Sequence, residues 1–139
     1  MIQRLSHSAI FVFDQDEAKD FYVNKCGFEV KMDASMPNGF RWLTVSPKGQ
    51  PEMQIILMKV APGPKLGQQD IATMKELMSK GALGAGVFQT PDCRRTYEEM
   101  KAKGVKFLSE PKEQFYGIEA VFEDPFGNWF SMTQPKNES

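Results

Sequence analysis

The chain has 139 residues, 41% of them hydrophobic and 25% charged, and its 17 basic and 18 acidic side chains leave a net charge of −1. That length sets one compact domain, or two small halves sharing a core, and it buries enough surface to need neither disulfide nor structural metal. The balance of charge and apolar residues excludes intrinsic disorder and argues against a nucleic-acid partner.

Residues 1–7 lack the apolar run of a signal peptide, and no stretch is long enough to span a bilayer. A cytoplasmic protein without a membrane partner is therefore expected. An alternating run over 6–13 predicts the first strand. Asp14, with Glu17 three residues on, reads as a helix start. Ala18, Phe21, Tyr22 and Cys26 follow at helical spacing before Gly27 stops the run. Strands are expected at 28–32, 40–45 and 53–59. The stretch Ala61-Pro62-Gly63-Pro64 then breaks the chain.

A helix from about 70 to 80 carries Ile71, Met74, Leu77 and Met78 on one side and ends at Gly81. The next strand covers 86–90. Thr90 is expected to cap the following helix, with Pro91 in its first position and Cys93, Tyr97 and Met100 as the buried stripe. Gly104 ends it, and strands follow at 105–108, 118–123 and 129–134. Cys26 and Cys93 both fall on apolar helix faces and read as reduced, buried thiols.

The chain repeats itself at an offset of 78 residues. Asp14 falls on Asp92, Gly39 on Gly117, Pro47 on Pro125 and Gly49 on Gly127. Each copy parses as β-α-β-β-β. The expected class is α+β, with two tandem βαβββ modules forming a cupped, barrel-like mixed sheet and helices outside. The first module covers 1–60, a linker with a helix 61–83, and the second module 84–139.

A doubled unit of this kind resembles the glyoxalase, bleomycin-resistance and extradiol-dioxygenase proteins, the vicinal oxygen chelate superfamily. The resemblance is carried by Leu5-Ser6-His7-Ser8-Ala9, by Phe21-Tyr22 ahead of Cys26-Gly27-Phe28, and by Asp124-Pro125-Phe126-Gly127-Asn128. It implies two units wrapping one cavity around a divalent metal (nickel, zinc, manganese or iron), and a homodimer. Of the implied ligand positions, His7 is present and Gln54 offers an amide oxygen, while the others hold Ala85 and Ser131. Two neutral ligands hold a divalent ion poorly, because catalytic sites usually supply three.

Strand alternation offers a second route to the site. His7 shares a face with Ala9 and Phe11, and Ser131 shares one with Trp129 and Thr133. The 78-residue offset puts Arg41 and Glu119 at equivalent positions, on faces that also carry Leu43 and Val121. If those faces line the cavity, Arg41 and Glu119 become catalytic candidates, able to orient a polar substrate or serve as general base. Trp129, Ser131, Phe11 and Leu43 become substrate contacts.

Each reading has a plainer counterpart. His7 is also read as a hydrogen-bonded, half-buried imidazole, Gln54 as an ordinary strand amide, Arg41 and Glu119 as a surface pair, and Trp129 as packing. Two function classes follow. One is a drug-sequestering protein that binds a small organic molecule in the cup, with a degenerate metal site. The other is a metal-dependent lyase, isomerase or dioxygenase that uses His7 and Gln54 in a rearranged site. A metal-free enzyme built on Arg41 and Glu119 stands between them.

Overall fold

The computed structural model describes residues 1–137. The chain divides into two compact units, Met1–Lys75 and Glu76–Ser139. Each holds a four-stranded mixed sheet with a helix against it, so the class is α+β and the two βαβββ modules stand in tandem.

In the first unit, β1 (His7–Val12) runs parallel to β4 (Gln54–Lys59). β3 (Arg41–Ser46) lies antiparallel to β4, and β2 (Glu29–Ser35) lies antiparallel to β3. The helix α1 (Gln15–Lys19) begins as its sequence requires, because the Asp14 carboxylate takes the Glu17 N–H at 2.9 Å. It does not continue as an α-helix. Over Asp20–Lys25 the turn widens to a π-helix, with the Cys26 N–H bonded to the Phe21 carbonyl. Phe21 and Tyr22, three and four residues after the buried Ala18, both face inward and both are buried. They pack with Ile10, Val12, Leu43, Val45, Ile55 and Leu57, which alternate along the strands on the helix-facing side of the sheet.

The helix α2 (Gln68–Ser79) buries Ile71 and Met78, and Gly81 closes it with φ +80°. Leu77 was expected on the same stripe, but it is 49% exposed because it is one residue off the line joining 71, 74 and 78.

In the second unit, β5 (Gly84–Gln89) pairs parallel with β8 (Trp129–Pro135). β7 (Gly117–Glu123) lies between β8 and β6 (Lys106–Gln114). β6 runs well past its expected end at 108 and tolerates Pro111, because it pairs on one side only. The helix α3 (Cys93–Ala102) is capped by Asp92, whose carboxylate takes the Arg95 N–H at 3.1 Å. The expected cap, Thr90, bonds to the Thr96 hydroxyl at 2.6 Å instead. The cap therefore obeys the 78-residue offset from Asp14. Above α3, Tyr97 meets Phe107 edge-on at 4.6 Å, and Phe88, Phe122 and Phe130 form one ring cluster.

The segment Asp124-Pro125-Phe126-Gly127-Asn128 is a structural clasp. One Asp124 carboxylate oxygen accepts the Phe126 and Asn128 N–H groups at 2.9 and 3.0 Å, and the other accepts the Asn128 side-chain amide at 2.8 Å. Both residues are buried, so the turn's polar groups are paired within it.

Candidate functional site

Two sites emerge, one in each unit. In the first unit, the sheet face away from α1 carries His7, Phe11, Trp42, Thr44, Gln54 and Met58, alternating with the buried helix-side residues. His7 and Gln54 are direct register partners on β1 and β4, so these two candidate ligands stand side by side. His7 Nδ1 lies 3.0 Å from the Ser6 hydroxyl, and its ring is 6.0 Å from Trp42. The Gln54 carbonyl oxygen already accepts the Thr44 hydroxyl at 2.8 Å.

The resemblance implies a divalent metal, and these donors do not fit one. An imidazole and a neutral amide are two ligands where catalytic sites supply three, and neither carries charge. Among the described residues, no group of three or more His, Cys, Asp or Glu side chains converges to complete the set.

At one end of the same sheet lies a cavity of about 470 Å³. Its walls include Phe11, Phe40, Met58, Leu66 and Met74, with Gln15, Arg41 and Lys59 as its longer polar side chains. The volume suits a small organic molecule, and the lining is the mostly apolar one that such sites have.

Arg41 reaches this wall from the helix-facing side. Its guanidinium forks onto Asp33 at 2.8 and 2.9 Å and reaches Asp16 at 2.7 Å. Lys19 adds a further bond to Asp33 at 2.9 Å. Hydrogen bonds from Arg41, then from Lys19, hold the Asp33 carboxyl well below the usual carboxylate range, and Asp33 in turn raises Arg41 above its ordinary value. The cluster faces solvent, so Asp33→Asn is expected to cost about 1 kcal/mol at pH 7. Because the folded pKa is depressed, that stabilisation is full above the unfolded carboxylate range near pH 4 and fades below it. Thermal melts of both proteins should therefore converge as the pH falls from about 5 toward 2.

The second unit places Glu119, Ser131 and Thr133 on the sheet face away from α3. Glu119 accepts hydrogen bonds from the Ser131 hydroxyl and, at 2.6 Å, from the Tyr116 phenol. Ser131 and Thr133 are 3.0 Å apart. The bond to Glu119 raises the Tyr116 pKa, since losing that proton would set two anions together. Trp129 shares this face, but its indole N–H donates to the Gly81 carbonyl at 3.1 Å and its ring covers Gly84. Ala85 lies at an irregularity of β5 between Gly84 and Gly86. Cys93 is buried against the Met132 carbonyl, and burial pushes its thiol pKa up, so it has none of the activation a nucleophile needs.

Arg41 and Glu119 do not occupy equivalent places. Thr44 lies opposite Ile56, which pairs with Ala9, and Val121 lies opposite Ser131, which pairs with Val87. Ala9 and Val87 keep the 78-residue offset, while Thr44 and Val121 are 77 apart. The counterpart of Glu119 is therefore Trp42, and that of Arg41 is Ile118. A slip of one residue turns a side chain to the other face of a sheet. Arg41 accordingly shares its face with Leu43, which is fully buried core, while Glu119 points to the sheet face away from α3, beside the buried Ser131 and Thr133.

Sequence reading did not single out Gln15, Met58, Leu66 or Met74 as site residues. Alternation from Gln54 would have placed Met58 on the His7 face. No sequence pattern marks Gln15, Leu66 and Met74 as neighbours, since the start of α1, a loop and α2 bring them together.

Comparison with known proteins agrees with this architecture. The family model of the Glyoxalase/Bleomycin resistance protein/Dioxygenase superfamily matches residues 4–132. An uncharacterized protein of Shewanella frigidimarina is 37% identical, over 96% of this chain and 95% of its own. The structure of UcmS2 superposes with a TM-score of 0.90 at 46% identity, covering 96% of this chain and 98% of that one. TnmS3, an antibiotic binding protein from Streptomyces sp. CB03234, superposes with a TM-score of 0.74 at 30% identity, covering 97% and 98%. With the repeated βαβββ unit, the Asp-Pro-x-Gly-Asn clasp and matches along nearly the whole chain in agreement, this protein belongs to the glyoxalase, bleomycin-resistance and dioxygenase superfamily.

Proposed function

We propose that the protein binds a small, largely apolar organic molecule in the cavity of its first unit, in the manner of a drug-sequestering protein and without a resident metal. The observation that carries this reading is the cavity of about 470 Å³ walled by Phe11, Phe40, Met58, Leu66 and Met74. Burying roughly 250 Å² of apolar ligand surface there is worth about 6 kcal/mol gross, which before any cost of association corresponds to a Kd of about 40 μM and sets the upper limit on affinity from apolar contact alone. The likeness to an antibiotic-binding protein at 30% identity supports the same class. Action in the cytoplasm as a homodimer belongs to this proposal, and light scattering on the purified protein reads the oligomeric state.

A second reading, a metal-dependent lyase, isomerase or dioxygenase, is favoured by one observation, the adjacency of His7 and Gln54. One pair of measurements separates the two. Titration with 2-naphthol, followed by protein NMR shifts, is expected to perturb residues 11, 40, 58 and 74. Dialysis against nickel, zinc, manganese and ferrous iron, followed by elemental analysis, is expected to leave no stoichiometric metal. Metal retained at one equivalent and lost in His7→Ala would transfer the case to the enzyme.

A further inference from the structure

The polar groups on the cavity wall differ in what they have left to offer a ligand. Arg41 has given Nε and one hydrogen of each terminal nitrogen to Asp33 and Asp16, and Lys19 also binds Asp33. Two cations and two carboxylates cancel, so Arg41 contributes shape with little net positive field. Lys59 is exposed, and water solvates its ammonium.

Gln15 is in a different state. Its side-chain nitrogen donates to the main-chain carbonyls of Arg41 at 3.1 Å and Leu57 at 2.9 Å. An amide nitrogen carries two hydrogens, and both are thereby spent. The orientation of the amide is determined by those partners, because the flipped form would set an oxygen against two carbonyl oxygens. What remains is Oε1, which has no hydrogen-bond partner among the described residues. The side chain is half-buried, pinned to β3 and β4 at once, and part of the cavity wall. A fixed acceptor in an otherwise apolar site is the arrangement that discriminates between ligands, since a molecule without a donor strips water from that oxygen and returns nothing.

We infer that Gln15 is the specificity-determining residue of this cavity. Its Oε1 accepts a hydrogen bond from a hydroxyl or N–H of the bound molecule, so the site selects uncharged, mainly apolar compounds that carry a donor. This rests on the proposed reading of the cavity as a ligand site.

The test compares three probes of one shape by NMR titration: 2-naphthol, its isostere 2-methylnaphthalene, and 2-naphthoate. Wild-type protein should bind 2-naphthol about tenfold more tightly than 2-methylnaphthalene. In Gln15→Met the two should bind within about twofold of one another. The wild-type ratio needs no variant, so it decides the matter even if Gln15→Met fails to fold. Equal affinities of wild type for the two neutral probes would overturn the role of Gln15 while leaving the cavity a binding site. Tightest binding of 2-naphthoate, lost in Lys59→Ala, would overturn it in favour of anion recognition. No binding of any of the three would remove the cavity reading itself, and this inference with it.

Discussion

Gly127→Ala should lower the stability of the protein by at least about 3 kcal/mol, which for a chain of this size is a fall in Tm of roughly 10–15 °C. Gly127 has φ +90°, in the left-handed region, and a Cβ built on it would stand 1.9 Å from the Met78 carbonyl oxygen and 2.7 Å from its carbon. The obstacle is main chain, so no rotamer change relieves it. Either the clasp of Asp124 and Asn128 opens, or the end of α2 shifts away from it, and each exposes buried partners. Gly39→Ala provides the control. Gly39 has φ +88° but open space where a Cβ would go, so only the backbone strain of about 1–2 kcal/mol applies. Chemical denaturation of both variants checks the difference, and equal losses would show that the collision is not the cause.

The largest effect on binding is expected from Phe11→Ala combined with Phe40→Ala. Both rings are 40% exposed in the free protein and both line the cavity, so a ligand covers surface that folding leaves open. If the two rings together contribute about 100 Å² of apolar contact, their loss costs about 2.5 kcal/mol, or roughly 70-fold in the Kd for 2-naphthol. The Tm should move far less than in Gly127→Ala, because surface residues of the free protein are being trimmed. A double variant that still binds 2-naphthol as wild type does would place the ligand elsewhere.

These expectations draw on sequence and structure to different degrees. Asp14 and Asp92 are legible as counterparts because each ends an alternating apolar run and they stand 78 residues apart, although the second cap was expected at Thr90 and lies at Asp92. The duplication, the strand order within each βαβββ unit and the kinship carried by His7 and by residues 124–128 come from local pattern, and local pattern survives in a linear string. The buried partners Phe21 and Tyr22 were legible too, from their spacing after Ala18, although the π-turn was not, because the same apolar spacing suits a regular helix.

Linear order by itself determined that this chain is a doubled α+β protein whose implied ligand positions hold His7 and Gln54 but not Ala85 or Ser131 as donors. Tertiary structure alone decided which way the later strands face. A single offset of 78 holds between β1 and β5 but slips by one residue between β3 and β7, and in a sheet one residue reverses a side chain. That slip sends Arg41 to an ion-pair cluster with Asp33 and Asp16, and turns Glu119 to Ser131 and Tyr116. The cavity was likewise undetermined by sequence, since Phe11, Gln15, Phe40, Met58 and Met74 become neighbours only once non-local pairing and the start of α1 bring their elements together.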